Sequence, residues 1–303
     1  MHNDKRSTPQ SGSVDNSALV LLRGGGDLAT GVALRLHQVG IKLVITELAR
    51  PLAVRRAVSF AEAVYEGQHA VEGVMSRLVK REQPRPEFYR RVSAALEADE
   101  IPVLVDPDAD ILTHLFNYQF LVVIDARLLK AAPSPLPVNV PLHIGLGPGF
   151  QAGINCDAAI ETRRSHTLGR VYWNGSTQAD SGQPEGDPRR VLRAPVEGVV
   201  GTKAKIGEHI EAGQVVASIQ VDVATAPQRR KDASTQVHSP FAGVLRGLIR
   251  DGIHVTKGLK IGDIDPRDDP SACFLVSDKA LAIGGAVLEA ILTRQEIREK
   301  LWK

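Results

Sequence analysis

An α/β protein with a Rossmann-type, doubly wound parallel sheet, followed by an all-β sandwich, is the fold this sequence predicts. Three observations carry it. An apolar run, Ala18 to Leu22, stops at a glycine turn that opens a helical pattern. Apolar strands and amphipathic helices then alternate through Ile124, which is the pattern of a parallel sheet covered by helices. Beyond residue 190 the chain repeats itself at a constant offset.

The first strand is short and wholly apolar, as a strand buried on both faces must be. Gly24-Gly25-Gly26-Asp27-Leu28-Ala29 follows, and apolar residues at 28, 32, 33, 36 and 39 keep helical spacing until Gly40. A second strand, Ile41 to Ile45, leads to Glu47. Pro86 to Ala98 reads as a helix, Ile101 to Val105 as a strand ending at Asp106, and Ile111 to Phe116 as a short helix. Phe120 to Ile124 is a strand ending at Asp125. Prolines crowd from 133 to 141 and precede Gly145-Leu146-Gly147-Pro148-Gly149. The polar stretch 174–190 reads as a linker. Ser277-Asp278-Lys279-Ala280 opens a helix through Leu292. Its Gly284-Gly285 pair costs helix stability and predicts close docking on another element. The expected division is a disordered tail 1–16, a nucleotide-binding domain 17–173, the linker, a sandwich 191–268, and a docking helix in 269–303.

Composition narrows the function. Of the 303 residues 43% are hydrophobic and 24% charged, with a net charge of +2, so a nucleic-acid partner is not expected. No apolar run is long enough for a bilayer, and no membrane partner is expected. The two cysteines, Cys156 and Cys273, form no C-x-x-C pair, which favours a reducing compartment. The polar start lacks a signal-peptide core, so the expected location is cytoplasmic.

The glycine turn carries the chemistry. Gly24 permits a tight turn, Gly26 lets a pyrophosphate approach the backbone, and Ala29 is small enough for helix-on-strand packing. Amides at the helix tip attract phosphate. Gly24, Gly25, Gly26, Asp27, Leu28 and Ala29 are therefore candidate cofactor contacts. Glu47, 23 positions after Gly24, is placed to hold a ribose diol. Asp27 would repel a pyrophosphate unless it turns away or caps the helix. Asp125 and Arg127 end a strand where ligands of parallel sheets bind, and they join the candidates. Asp106 reads as a cap. Gly145 to Gly149 reads either as an anion-binding nest or as a backbone crossing. Asp125, Glu161 and His166 are candidates for proton transfer. No His-x-His spacing accompanies them, and no metal site is expected. The expected cofactor is a nucleotide, an NAD-like dinucleotide or a molybdopterin nucleotide.

The repeat spans Ala194 to Ile264. Ala194-Pro195-Val196-Glu197-Gly198-Val199 matches Ser239-Pro240-Phe241-Ala242-Gly243-Val244, and Gly207, His209, Gly213 and Ile219 fall on Gly252, His254, Gly258 and Ile264, each 45 residues on. This block resembles the biotinyl/lipoyl barrel-sandwich hybrid family. The hairpin that carries the modified lysine in that family would be Gln220 to Val237. Its one lysine, Lys231, lacks an acceptor context, and neither lipoyl nor biotin is expected.

Several further strings belong together: Leu22-Arg23-Gly24-Gly25-Gly26-Asp27-Leu28-Ala29-Thr30-Gly31, Thr46-Glu47-Leu48, Gly145 to Phe150, Gly243 to Ile249, Lys260 to Arg267 and Ser277 to Ala280. They resemble the YqeB-type selenium-dependent molybdenum hydroxylase system proteins. Asn155-Cys156-Asp157 departs from the pattern expected there. The resemblance implies an accessory protein for maturation of a molybdenum hydroxylase. Such a protein would bind a nucleotide or nucleotide-bearing molybdenum cofactor, with the hydroxylase or other cofactor-handling proteins as partners. Two alternatives stand beside it. An NAD(P)-dependent oxidoreductase would need a proton donor, but no tyrosine has a lysine four residues later, Tyr89 and Tyr118 included. The other is a non-catalytic scaffold with a vestigial nucleotide turn.

Overall fold

A computed structural model describes residues 17–81, 84–114, 118–182, 186–221 and 234–302. The expected tail 1–16 and Lys231 lie outside the described residues, as do parts of the expected linker and of the helix expected at 111–116. The chain opens with β1 (Ser17–Arg23), α1 (Asp27–Gln38) and β2 (Leu43–Glu47). Then come α2 (Ala63–Glu66), β3 (Gln68–Val71), β4 (Val74–Leu78), α3 (Arg85–Glu97), β5 (Ile101–Val105) and β6 (Tyr118–Asp125). β7 (Leu142–Leu146), β8 (Gln151–Ala152), β9 (Ala158–Ile160), β10 (Val171–Tyr172) and β11 (Gly175–Ser176) follow.

Nine strands form one sheet in the order β10-β9-β7-β6-β1-β2-β5-β4-β3. β1 lies at its middle because Leu19, Val20, Leu21 and Leu22 are all fully buried, on both faces. Val20 and Leu22 face α1, while Leu19 and Leu21 share a core with Phe88, Val92 and Leu96 of α3.

The expectation of a Rossmann-type doubly wound parallel sheet needs correction. The sheet is mixed: β3 runs antiparallel to β4, and β10 to β9. Among the described residues the connection from β5 to β6 contains a 3-10 turn, Asp110–Thr113, and no α-helix, and no helix links β6 to β7 or β7 to β9. Helical cover on the α1 face comes instead from the far end of the chain. There α4 (Asp278–Leu292) lies beside α1, and α5 (Gln295–Leu301) follows it. Ser277 starts α4 by accepting a bond from the Ala280 amide at 3.2 Å. The strand and helix periods were readable, but which elements cover a face is decided by distant segments.

Residues 191–265 give β12 (Val191–Arg193), β13 (Gly198–Thr202), β14 (His209–Ile210), β15 (Val215–Gln220), β16 (Ser234–His238), β17 (Gly243–Leu248), β18 (His254–Val255) and β19 (Lys260–Asp265). They make two four-stranded antiparallel sheets, β12-β19-β17-β14 and β16-β15-β13-β18. Strands equivalent in the repeat fall on opposite sheets. Here too a correction applies: the block is not a lipoyl-like barrel-sandwich module standing apart. It is anchored on the first sheet through residues 54–62. Arg56 Nε donates to the Leu248 carbonyl at 3.1 Å, and Arg250 pairs with the buried Glu62. A Cβ on Gly247 would stand 2.9 Å from the Val54 carbonyl oxygen. The fold is thus mixed α/β with several antiparallel sheets.

Candidate functional site

The turn between β1 and α1 emerges at the C-terminal edge of the large sheet. Gly24 has φ +92°, a conformation side chains resist, and its amide donates to the Thr46 carbonyl at 2.7 Å. Gly25 is pinned from two sides. Its carbonyl accepts from the Ala61 amide at 2.8 Å, and its amide donates to Glu47 Oε2 at 2.7 Å. Gly26 caps α1 in an extended conformation (φ −67°, ψ −178°) without any side-chain cap. A Cβ added to Gly26 would meet no atom within 4 Å. Gly26, Asp27 and Leu28 are half-buried, and Ala29 is packed beneath the turn. Thr30, fully buried, accepts from the Phe60 amide and donates to the Gly26 carbonyl, which fixes the turn against residues 59–62.

Glu47 does something other than wait for a ribose. Its second oxygen accepts from its neighbour's amide, Leu48, at 2.7 Å. Burial raises its carboxyl above the ordinary range, opposed by these two amide bonds. The residue clamps the turn.

Asp27 does not cap α1; its carboxylate points to Arg55 Nη1 at 3.8 Å. Arg55 is 7% exposed, donates to the Leu275 carbonyl at 3.0 Å, and leaves its Nε without a partner. A buried guanidinium therefore stands by the first turn of α1, where it offsets the Asp27 charge. Sequence reasoning missed Arg55, because nothing in its local pattern signals a contact with a turn 28 residues earlier.

At the neighbouring strand end, Asp125 is fully buried. It takes Arg127 through Nε at 2.9 Å and Nη2 at 2.5 Å, and Arg23 Nη1 at 3.4 Å. Both carboxylate oxygens are thus occupied by guanidinium donors. Gly24 and Arg127 do come together here: a Cβ on Gly24 would lie 3.5 Å from the Arg127 amide nitrogen. Asp106 accepts from the amides of Asp110 and Ile111 and pairs with Arg81 at 2.7 Å, so it caps the following 3-10 turn. Gly145 and Gly149 serve packing. A Cβ on Gly145 would overlap Phe150, and one on Gly149 would approach the Ala131 carbonyl oxygen to 2.5 Å. Glu161 is buried and accepts from the amides of Arg163 and Gln178 at 2.7 and 2.8 Å. His166 is exposed on the next turn, and no described hydrogen bond joins it to Glu161. No described hydrogen bond or ion pair joins any two of Asp125, Glu161 and His166.

No protein-family model matches the chain. Over 278 residues, 90% of this chain, it is 40% identical to YqeB of Escherichia coli strain K12. The chain is a relative of YqeB. It spans about half of that protein, 47% of its length. Among solved structures, an aspartoacylase family protein from Mesorhizobium loti superposes with a TM-score of 0.28 at 12% identity, covering 82% of this chain and 85% of that one. A succinylglutamate desuccinylase/aspartoacylase from Rhodobacter sphaeroides gives 0.26 at 15% identity, covering 82% and 85%. Superpositions this loose do not define a shared fold. The likeness shown is to YqeB itself and carries no molybdenum hydroxylase association.

Proposed function

We propose that the chain binds the phosphate of a nucleotide or dinucleotide at the turn Gly24–Ala29. The observation that carries this reading is the open space in front of Gly26, at the half-buried tip of a 12-residue helix that has no side-chain cap. Such a tip presents amide donors and the positive end of the helix dipole. Arg55, nine-tenths buried and with an unpartnered Nε, adds a cation beside the same turn. Glu47 supports the site by holding the Gly25 amide, and so leaves the amides beyond it to the ligand. Arg127, paired with Asp125, stands next to Gly24 on the adjacent strand end.

Calorimetric titration of the full chain with NAD, FAD and ADP tests the proposal. Wild-type protein should bind at least one of them, and Gly26→Asp should lose that binding because its carboxylate enters the open space. No heat with any of the three, or equal binding by Gly26→Asp, would overturn the reading in favour of a scaffold.

A further inference from the structure

A carboxylate recognises a ribose by accepting from both hydroxyls of the diol, which requires its two oxygens to turn together toward the sugar. Glu47 is the acid that its place in the chain offers for this task. It ends β2 on the same face as Ile45, whose Cγ2 would stand 3.3 Å from a Cβ on Gly25. Its side chain therefore reaches the glycine turn, and there both oxygens are already engaged. Oε2 accepts from the Gly25 amide at 2.7 Å, and Oε1 accepts from the Leu48 amide at 2.7 Å. The carboxylate is held between the turn and the end of its own strand.

Turning it toward a diol would undo part of the site. The bond from Glu47 is one of two that pin Gly25, the other running from the Ala61 amide to the Gly25 carbonyl at 2.8 Å. Amide bonds to a carboxylate are of the strong, charge-assisted kind. An amide that loses its partner away from water costs more than a typical hydrogen bond contributes. Ribose hydroxyls are hydrated before they bind, so they exchange one set of bonds for another and do not offset that cost. Releasing Gly25 would also loosen the turn that presents the phosphate. The neighbouring chain supplies no substitute. Asp27 faces Arg55 Nη1 at 3.8 Å. Beyond Glu47 the sequence runs Leu48-Ala49-Arg50-Pro51-Leu52, which contains no side-chain acceptor. Its half-exposed members Leu48 and Leu52 are apolar.

We propose that the glycine turn takes nucleoside phosphates without reading their sugar hydroxyls, so that ribose and deoxyribose forms bind alike. The inference rests on the phosphate-binding reading of the turn and narrows what that site distinguishes. Glu47 acts in it as a positioning residue: it fixes Gly25 and touches no ligand.

ADP and its dideoxy analogue, which lacks both ribose hydroxyls, are the probes, titrated calorimetrically into the full chain and into Glu47→Gln. The wild type should bind the two with affinities within about threefold of each other, since no bond to the diol is lost. A glutamine keeps one acceptor oxygen but sets an NH2 against an amide N–H. Glu47→Gln should therefore melt lower and weaken both ligands by the same factor. A carboxylate that gripped the diol would favour ADP by about tenfold or more. A wild-type preference for ADP beyond about threefold overturns the inference while the phosphate-binding reading stands. It is overturned in the same way if Glu47→Gln weakens ADP and leaves the dideoxy analogue unaffected. If the wild type binds neither, the phosphate-binding reading itself fails and this inference falls with it.

Discussion

A Cβ placed on Gly284 would stand 2.7 Å from the carbonyl oxygen of Gly31, so α4 and α1 meet backbone to backbone. The contact is reciprocal: a Cβ on Gly31 would fall 2.6 Å from the Ala280 Cβ. Neither helix can retreat, because Ala280, Ile283, Val287 and Ile291 are fully buried in the same core as Val32 and Leu36. Overpacking of this kind costs about 1–3 kcal/mol. Gly31→Val and Gly284→Val should each lower unfolding free energy by about that amount. Gly285, with nothing within 4 Å of its would-be Cβ, supplies the contrast. Gly285→Ala should be stabilising by about 0.5–1 kcal/mol through helix propensity. Urea unfolding of the three variants checks the ordering.

Asp263 sits at a different kind of joint. Burial disfavours its charge, but Lys260, Arg246 and Arg190 outweigh that cost and keep the carboxyl below its usual range. Asp263→Asn removes the counter-charge that Arg190, Arg246 and Lys260 share. Breaking a buried ionic cluster from one side costs about 3–5 kcal/mol. The expected result is a large fall in melting temperature. Pairing Asp263→Asn with Arg246→Met should recover part of it, since one of the clustered cations is then gone. A double variant no more stable than Asp263→Asn alone would contradict this account.

Acid should act through two carboxylates. Asp265 is drawn down to about 2, chiefly by its hydrogen bonds from Arg267, and Asp278 to about 2 by those from Arg164. Both protonate more readily in the unfolded chain than in the folded one. Their stabilising contribution is therefore complete above about pH 4, the unfolded range, and is lost as pH falls toward about 2. Both pairs are partly solvated, so the effect is modest and screened by salt. Unfolding midpoints measured from pH 5 to pH 2 should fall less steeply in Asp265→Asn/Asp278→Asn than in the wild type.

The strand–turn–helix of residues 17–38 was legible because its signals are local: an apolar run, glycines at the turn, and a helical period. The close approach of α4 to α1 is marked by one of its two adjacent glycines, Gly284, while Gly285 meets nothing within 4 Å. The sheet's antiparallel edges were not readable, because β3 and β10 are short segments with no alternation strong enough to fix direction. Glu47 was expected at a ribose; its spacing from Gly24 says that it reaches the turn, and there its oxygens accept from the Gly25 and Leu48 amides, a detail set by a few ångströms of geometry. Arg55 was invisible for a further reason. Its partners, Asp27 and the Leu275 carbonyl, lie far from it in the chain, and an isolated Arg in a sequence looks like solvated surface.

The turn itself allows stability and binding to be pulled apart. Gly26 is the N-cap of α1 and already has the extended geometry that serine adopts at that position. Gly26→Ser places a hydroxyl in open space, where it can accept from an amide of the first helical turn. That bond should add a few tenths of a kcal/mol to stability. The same hydroxyl occupies an amide that the phosphate needs, so nucleotide affinity should fall as the protein becomes more stable. Gly25→Ala behaves in the opposite sense on stability. Its Cβ would press to 2.9 Å on the Ala61 amide nitrogen, a backbone atom that cannot swing aside, and the protein should lose about 1–3 kcal/mol. Melting curves and ADP titrations on both variants decide the matter. If Gly26→Ser melted higher and bound ADP as well as the wild type, the amides of α1 would have no part in holding phosphate.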